Sequence, residues 1–326
     1  MSTSAAKAPD VSVVVATYNR SDTVRGTIES LMNQECDGFA YEVIVVDNNS
    51  TDDTRHTIEE LQATPGYENL HYFFEEQQGV SYARNRGIAA ARAPVLAFTD
   101  DDIRPANNWV KAINDGFRRF PQADCIGGKV LPEIGTEFPA WLTSKHWTPL
   151  ALMDLGDEAI ELHVDTGAGL VGANMAVRAA ALADVGSFRT QLQRVKGGIG
   201  SLEDHELQLR LSAAGKRLLY LPEVIVYAQV FAERLTMNYH RRWYCGHGHF
   251  YAVMRNEEFE SSKIRLFGVP GHLYRRSCAS LFGWLKYRLA NKKDLEFQQE
   301  LELQFFWGFF RKRLADRRSQ ARPRQQ

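Results

Sequence analysis

The sequence predicts an α/β protein with a doubly wound, mostly parallel sheet and a C-terminal helical extension. Short apolar, β-branched runs alternate with stretches whose apolar residues recur at helical spacing. Each run ends in polar residues, as the carboxyl ends of buried parallel strands do where they carry a binding site. A hydrophobic fraction of 44%, a charged fraction of 24% and a net charge of -1 are typical of a globular protein and give no indication of nucleic-acid binding.

The individual elements follow from this alternation. Helices are expected from Ser21, which would cap the first one, and from about residues 51, 82, 107 and 203. Residues 132–166 are irregular and contain Trp and Pro, which indicates a long excursion of the kind that often binds ligands. The apolar runs predicted as strands are residues 11–16, 43–46, 70–74, 95–98, 125–131, 217–220 and 224–227.

Cysteine usage and the lack of long apolar segments indicate a cytoplasmic protein. Cys36, Cys125, Cys245 and Cys278 are far apart and have no paired metal-ligand spacing, so we expect reduced thiols. Residues 1–10 contain no apolar core of signal-peptide length, and the chain has no run of about 18 apolar residues. Peripheral attachment to the cytoplasmic face of a membrane stays open.

Three consecutive carboxylates, Asp100, Asp101 and Asp102, follow the predicted strand at residues 95–98. Adjacent carboxylates raise one another's pKa unless a cation lies among them, and a hard divalent ion with oxygen ligands would remove that repulsion. The alternative is an acidic turn before the next helix, because Asp favours turns and helix N-termini. Taken alone, this stretch supports both interpretations equally.

Polar groups recur at other predicted element ends. Asp47 ends the second strand, and Glu203 and Asp204 begin a helix after a flexible glycine run at residues 197–200. Acids at a helix start ordinarily interact with its dipole. A second glycine run, at residues 167–172, allows close backbone approach to another group.

These segments together resemble the family 2 glycosyltransferases, inverting enzymes with the nucleotide-sugar-binding fold called GT-A. The resemblance extends over residues 11–227. The matching segments are VVVATYNR at 13–20, VVDNNSTD at 45–52, GVSYARNRG at 79–87, the DxD element at 100–102 and the ED pair at 203–204.

The resemblance implies a metal-dependent inverting glycosyltransferase. It would move a sugar from a nucleotide-sugar donor, with a UDP-sugar favoured, to a glycan or lipid-linked acceptor in surface polysaccharide or glycolipid synthesis. Asp102 and Asp100 would hold Mn²⁺ or Mg²⁺, Asp204 would be the general base, and Glu203 would position it. The donor-binding residues implied are Thr17, Tyr18, Asn19, Asp47, Arg84, Asp100 and Asp101.

Two positions depart from the family pattern. Ala228 stands where family members often have a histidine that reaches the metal. Tyr239 stands where the QxxRW element has its glutamine, although Arg242 and Trp243 match the end of that element. Arg242, Trp243 and Asn174 are therefore the expected acceptor or pyrophosphate contacts, with a structural helix carrying snorkelling arginines as the alternative for the first two.

The composition changes after residue 231, where aromatic and basic residues dominate. We expect a flexible start at residues 1–10, a catalytic domain at 11–231, a helical region at 232–313 and a disordered basic tail at 314–326. The aromatic and basic pattern of residues 267–313 suits a membrane interface, and equally a helical appendage that packs on the catalytic domain or on a second subunit.

Two other functions are compatible with parts of the sequence. Because Ala228 cannot ligate a metal, one alternative is a non-catalytic scaffold that binds nucleotide sugars or glycans. A nucleotidyltransferase also places acids and a metal on an α/β sheet, but it usually has a Gly-rich loop after the first strand, and residues 17–22 contain no glycine.

Overall fold

The computed structural model describes residues 8–164, 169–193, 199–255, 260 and 264–320. The chain divides into two compact units. The sheet unit comprises Met1–Glu137, Leu150–Lys196 and Glu203–Val230. The helical unit comprises Phe138–Pro149, Gly197–Leu202 and Phe231–Gln326. Part of the predicted excursion, Phe138–Pro149, therefore belongs to the helical unit.

One mixed sheet of nine strands forms the sheet unit, in the order β3-β2-β1-β4-β8-β6-β9-β5, with β7 paired to β9. Strands β1 to β4 pair in parallel, as do β6 and β9, whereas β5, β7 and β8 run antiparallel to their neighbours. The strands are β1 Val11–Thr17, β2 Tyr41–Asp47, β3 Leu70–Phe74, β4 Val95–Asp100, β5 Ile103–Pro105, β6 Cys125–Pro132, β7 Ile160–Leu162, β8 Met175–Arg178 and β9 Leu218–Ala228.

The central strands form because their side chains are buried on both faces. Val13 and Val14 of β1 and Phe98 of β4 are fully inaccessible to solvent, as β-branched and aromatic runs in a covered parallel strand are expected to be. The register aligns the strand ends, since Thr17 lies opposite Asp47 and Ala16 lies opposite Asp100. The polar residues after β1, β2 and β4 thus meet at one edge of the sheet.

Helices cover the sheet, and two local predictions require correction. Ser21 is the first residue of its helix rather than the cap; the cap position is Arg20, and the backbone N–H of Ser21 donates to Asp52 Oδ2 at 3.1 Å. The two strands predicted at 217–220 and 224–227 are the single strand β9. The helices are α1 Ser21–Met32, α2 Thr54–Gln62, α3 Val80–Ala90, α4 Trp109–Arg119, α5 Ala179–Val185 and α6 Glu203–Ala213.

The described residues of the helical unit form three long helices and a short hairpin. They are α7 Met237–Met254, β10 Arg265–Leu266, β11 Val269–Pro270, α8 Gly271–Leu289 and α9 Lys293–Gln320. Helices α7 and α9 approach each other closely. A Cβ added at Gly308 would lie 1.8 Å from the carbonyl oxygen of Cys245, and a Cβ added at Gly248 would lie 2.0 Å from the carbonyl oxygen of Phe305. Their crossing therefore requires glycine.

Helix α9 continues to Gln320, so residues 314–320, expected in a disordered tail, are helical. Residues 321–326 lie outside the described part of the chain. Within the described ranges, no helix has the length and apolar character that crossing a membrane requires.

Candidate active site

The turns after β1 and β2 hold each other in place. Asn19 has a φ of 51°, a left-handed conformation that Asn tolerates better than most residues. Its Oδ1 accepts from the backbone N–H of Thr51 at 2.8 Å, and its own N–H donates to Ser50 Oγ at 2.9 Å. Asn19 thus orders the turns that border the predicted donor pocket. Tyr18, beside it, is 36% exposed.

Asp47 is almost fully buried at the end of β2. Its Oδ1 accepts from the backbone N–H of Ser50 at 2.9 Å, and its Oδ2 accepts from the hydroxyl of Tyr72 at 3.0 Å. Burial and the charge of Asp47 raise the pKa of Tyr72 well above its usual value. Sequence reasoning missed Tyr72, although its place on β3 opposite Val45 of β2 puts it beside Asp47.

Arg84, on α3, connects the two acidic motifs. Its Nη2 donates to Asp100 Oδ1 at 3.0 Å, and its Nη1 donates to Glu203 Oε1 at 3.1 Å. The guanidinium is 4% exposed and lies over the ring of Phe188, 5.3 Å from its centroid. The charges of Asp100, Glu203 and Asp204 outweigh burial and raise the pKa of Arg84. Arg84, which the family resemblance implies to be a donor-binding residue, is therefore held between carboxylates.

The acidic triplet is unevenly buried. Asp100 and Asp102 are half-buried, whereas Asp101 is buried and its Oδ1 lies 3.9 Å from Arg20 Nε. Burial and the neighbouring charge of Asp102 raise the pKa of Asp101 to about 7. The chain is fixed here by the Thr27 hydroxyl, which donates to the carbonyl oxygen of Asp101 at 2.9 Å.

Asp204 lies in the first turn of α6, against the backbone of residues 170–172. Its Oδ2 accepts from the backbone N–H of Gly172 at 3.0 Å, and its Oδ1 accepts from the N–H of His205 at 2.8 Å. A Cβ at Gly172 would lie 2.9 Å from Asp204 Oδ2 and 3.3 Å from Arg84 Nη1. Close backbone approach, predicted for this glycine run, is thus found at Gly172 and is directed at Asp204.

Gln208, one turn along α6, fixes that backbone segment. Its Oε1 accepts from the N–H of Leu170 at 2.6 Å, and its Nε2 donates to the carbonyl oxygen of Leu170 at 2.9 Å. Gln208 is fully buried, so this pair of hydrogen bonds holds residues 170–172 on α6. Of the two predicted glycine runs, Gly167, Gly197 and Gly198 lie outside the described residues.

The triplet has the chemistry that a hard divalent cation requires, since it offers carboxylate oxygens of which Asp100 and Asp102 are partly accessible. Ala228 pairs with Ile103, and the N–H of Gln229 donates to the Asp102 carbonyl oxygen at 3.0 Å, so the position without the family's histidine lies beside Asp102. Among the described residues, no group of three or more His, Cys, Asp and Glu side chains is arranged to hold a metal alone. An ion at the triplet would need further ligands from donor phosphates and water, which fits Mg²⁺ or Mn²⁺.

Asn174, predicted to contact acceptor or pyrophosphate, is held by hydrogen bonds within the sheet unit. It is fully buried, its Oδ1 accepts from Trp109 Nε1 at 2.7 Å, and its Nδ2 donates to the carbonyl oxygens of Lys129 and Val224, each at 2.9 Å. These contacts occupy the amide and join β6, β9 and α4. The predicted binding role of Asn174 stays a prediction.

The other two predicted acceptor contacts lie on α7 of the helical unit. Arg242 is exposed, and Trp243 stacks on His247 with ring centroids 4.4 Å apart and an interplanar angle of 21°. Their binding role stays a prediction.

Comparison with known proteins identifies the family. Residues 12–185 match the model for glycosyl transferase family 2. The chain belongs to this family. Membership confirms the glycosyltransferase assignment made from the strand-end motifs, and the acidic triplet and most of the sheet lie inside the matched segment.

Two curated relatives from Haloferax volcanii illustrate the similarity. Glycosyltransferase AglE is 29% identical over 223 residues, which cover 67% of this chain and 66% of the relative. Glucosyl-dolichyl phosphate glucuronosyltransferase is 25% identical over 235 residues, which cover 70% of this chain and 72% of the relative. About a third of each relative's length is thus outside the match.

A solved structure supports the fold. The mannosyltransferase PcManGT from Pyrobaculum calidifontis, solved in complex with GDP-Man and Mn²⁺, superposes with a TM-score of 0.56 at 17% identity, covering 97% of this chain and 76% of that one. The predicted GT-A fold with C-terminal helices is confirmed.

Proposed function

We propose that the protein is a metal-dependent inverting glycosyltransferase, which moves a sugar from a nucleotide-diphosphate donor to a hydroxyl acceptor in a single displacement. The observation that supports this most is the bridge made by Arg84 between Asp100 and Glu203. It joins the element proposed to bind the donor's diphosphate and the element proposed to carry the base in one hydrogen-bonded network. A reaction that needs both groups around one anomeric carbon requires this proximity.

Asp204 is proposed as the general base that takes the proton of the acceptor hydroxyl. Its two oxygens each accept a backbone N–H, from Gly172 and His205, so its orientation is fixed before substrate binds. A carboxylate oxygen retains a further lone pair for a hydroxyl. Glu203 is tied to Arg84 and is proposed to position Asp204 and the acceptor rather than to transfer a proton.

Asp102 and Asp100 are proposed to hold Mn²⁺ or Mg²⁺ with the donor's diphosphate. A divalent ion there would stabilise the negative charge that develops on the leaving phosphate. Within the chain, Arg84 places a permanent positive charge 3.0 Å from Asp100 Oδ1 and so orients that carboxylate. The donor's base and ribose are proposed to lie near Thr17 and Asp47, where Tyr72 orients the carboxylate of Asp47.

The acceptor is proposed to be a lipid-linked or polymeric glycan. The name of one relative, glucosyl-dolichyl phosphate glucuronosyltransferase, describes transfer to a lipid-linked sugar. We place this chain in the same general kind of synthesis, surface polysaccharide or glycolipid assembly, with a UDP-sugar as the first donor to test.

Donor hydrolysis tests the proposal without knowledge of the acceptor, because water can replace the acceptor hydroxyl. The wild type, screened with nucleotide sugars and Mn²⁺, should release nucleoside diphosphate from at least one donor. Asp204→Asn should lower that rate by about 10²–10⁴-fold, the usual contribution of a general base, and should keep the thermal shift induced by the nucleoside diphosphate. Asp184→Asn, an exposed carboxylate paired with Lys216, is the matched control and should leave the rate unchanged.

Two outcomes would overturn the proposal. An Asp204→Asn rate equal to that of the wild type would remove Asp204 as the base. No thermal shift with any nucleoside diphosphate plus Mn²⁺ would remove the donor site, and pyrophosphate formation from a sugar phosphate and a nucleoside triphosphate would instead indicate a nucleotidyltransferase.

A further inference from the structure

A short hairpin of the helical unit places an aromatic ring on a strained turn. Strands β10 and β11 are joined by Phe267 and Gly268, whose φ angles are 52° and 78°. Glycine adopts this left-handed region freely, whereas a bulky L-residue is strained there. The side chain of Phe267 is nevertheless 54% exposed. Burial within the described chain therefore does not explain why an aromatic residue occupies this turn.

Phe267 borders an apolar groove of about 820 Å³ between the hairpin, the start of α8 and the second half of α9. The rings of Tyr274 and Phe310 stack within it at a centroid distance of 4.9 Å. Trp307 is 61% exposed and Leu314 is 40% exposed along its side. We call Phe267, Tyr274, Trp307, Phe310 and Leu314 the aromatic groove.

The groove continues along α8 as an exposed apolar stripe. Leu281, Leu285 and Leu289 follow Tyr274 at intervals of seven, four and four residues, which places all four on one face of the helix. Leu281 is 45%, Leu285 is 42% and Leu289 is 88% exposed. An apolar face of this length, left open to solvent, marks an interaction surface.

Positive charge surrounds the aromatic groove. Arg311 and Arg318 line it from the same face of α9 as Trp307, and Arg317 lies over the ring of Phe267 at 5.4 Å from its centroid. Within the described part of the chain, Arg311 and Arg318 form no ion pair with a carboxylate. Residues 267–318 contain eleven Lys and Arg against five Asp and Glu. The surface is therefore both apolar and cationic.

We propose that the aromatic groove and the α8 stripe dock the protein on an anionic lipid bilayer. Trp and Tyr concentrate at the membrane–water interface, and arginines beside them gain from anionic head groups. Exposed rings at a hairpin tip can insert between head groups without a spanning helix.

The positive charge also argues against two other occupants of this surface, a second copy of the chain and the chain's own C-terminal residues. A second copy that used the same face would bring two arginine-rich surfaces together, which is unfavourable. Residues 321–326 of the chain carry Arg322 and Arg324 and no acid, so they would add to the positive charge rather than offset it. An anionic bilayer satisfies both the apolar and the cationic parts of the surface. The docking is independent of the chemistry proposed for the sheet unit.

Vesicle flotation with the full chain tests this docking. The wild type should float with phosphatidylcholine vesicles that contain about 30% phosphatidylglycerol, more weakly with phosphatidylcholine alone, and less as salt increases. Phe267→Asn/Trp307→Gln should lower the partition coefficient at least about tenfold, since two interfacial rings are lost. Asn tolerates the φ of position 267, so the turn should be kept. Arg311→Gln/Arg318→Gln should remove most of the preference for the anionic vesicles.

Matched controls separate this surface from general effects. Ile134→Gln/Leu155→Gln removes exposed apolar side chains of the sheet unit, and Arg25→Gln/Arg118→Gln removes the same amount of charge there. Both should float as the wild type does. Donor hydrolysis without vesicles should be unchanged in the two aromatic-groove variants and in Arg25→Gln/Arg118→Gln, so a failed flotation test does not bear on the chemistry. The docking is wrong if the wild type ignores anionic vesicles at low salt, if the control variants lose binding equally, or if light scattering shows a dimer that Phe267→Asn/Trp307→Gln dissociates.

Discussion

At the carboxylate edge of the sheet unit, charged side chains are buried and held by one another, whereas at the aromatic groove of the helical unit apolar side chains are exposed. Arg84 is 4% exposed and contacts two carboxylates; Trp307 is 61% exposed. Folding alone favours neither arrangement, because burying charge and exposing an aromatic ring both cost free energy. We therefore propose a function for each arrangement: the first positions reacting groups, and the second binds a partner.

The largest effect is expected at Arg84. Arg84→Met leaves Asp100 and Glu203 without their shared cation, so it should destabilise the protein by about 3–5 kcal/mol and lower donor hydrolysis by more than tenfold. Chemical denaturation and hydrolysis rates measure the two effects. Adding Glu203→Gln to Arg84→Met should recover part of the stability but not the activity. Full activity of Arg84→Met would show that the bridge is not part of the site.

Acid should destabilise the helical unit through His240. This residue is fully buried, with its ring 5.0 Å from that of Trp141, and burial together with the charge of His146 lowers its pKa to about 4. Because the folded pKa lies below 6.5, the ordinary pKa of a histidine exposed to water, the folded state prefers the neutral ring. The contribution of His240 to the free energy of unfolding is fully present above pH 6.5. It falls by on the order of 2 kcal/mol as the pH decreases towards 4.

Denaturation midpoints at several pH values measure the His240 effect, and His240→Phe is the test variant. It keeps an aromatic ring without a titrating group, so its stability should fall less between pH 6.5 and 4 than that of the wild type. Equal pH dependence of the two proteins would assign the acid sensitivity to other groups.

Gly172→Ala should disturb the candidate base with little effect on the rest of the fold. The added Cβ would lie 2.9 Å from Asp204 Oδ2, so the carboxylate must move by a few tenths of an ångström. We expect a fall of about tenfold in donor hydrolysis, because small displacements of reacting groups are costly. Gly26→Ala is the control, since the atoms nearest to its Cβ belong to the half-exposed guanidinium of Arg104, which can move away. An unchanged hydrolysis rate for Gly172→Ala would contradict the assignment of Asp204 as the general base.

The smallest effect is expected at Tyr72. Tyr72→Phe removes one hydrogen bond to Asp47, worth about 1 kcal/mol, and should weaken binding of the donor nucleotide by roughly fivefold, with kcat nearly unchanged. Calorimetry with the nucleoside diphosphate and Mn²⁺ measures it. A fall in kcat without a change in affinity would indicate that Asp47 acts in catalysis rather than in nucleotide binding.

The sequence predicted those parts of the molecule that depend on local patterns. Buried runs and their polar ends located β1 to β4, and therefore Asp47 and Asp100 at one edge, because parallel strands share the side at which they end. The five matching motifs placed Glu203 and Asp204 with them. The strand inferences use only burial and chain direction, which follow from the apolar pattern of the sequence, whereas the placement of Glu203 and Asp204 rests on the family resemblance.

The sequence did not predict contacts between distant segments. The partners of Arg84 come from β4 and α6, the occupied amide of Asn174 depends on Trp109, and Phe138–Pro149 joins the helical unit. The periodic pattern of apolar residues within one segment does not encode contacts between segments that are distant in the sequence. The helical tail to Gln320 was missed because its basic composition resembles a disordered segment, although its apolar residues continue the face of α9.

The stereochemistry of donor hydrolysis tests the central claim most directly. Proton NMR of the sugar freshly released from an α-linked donor, recorded before mutarotation, reports the anomer formed at the enzyme. A metal-dependent inverting site predicts the β anomer with Mn²⁺ and no release in a chelator. Initial release of the α anomer, or hydrolysis that persists in the chelator, would contradict the account.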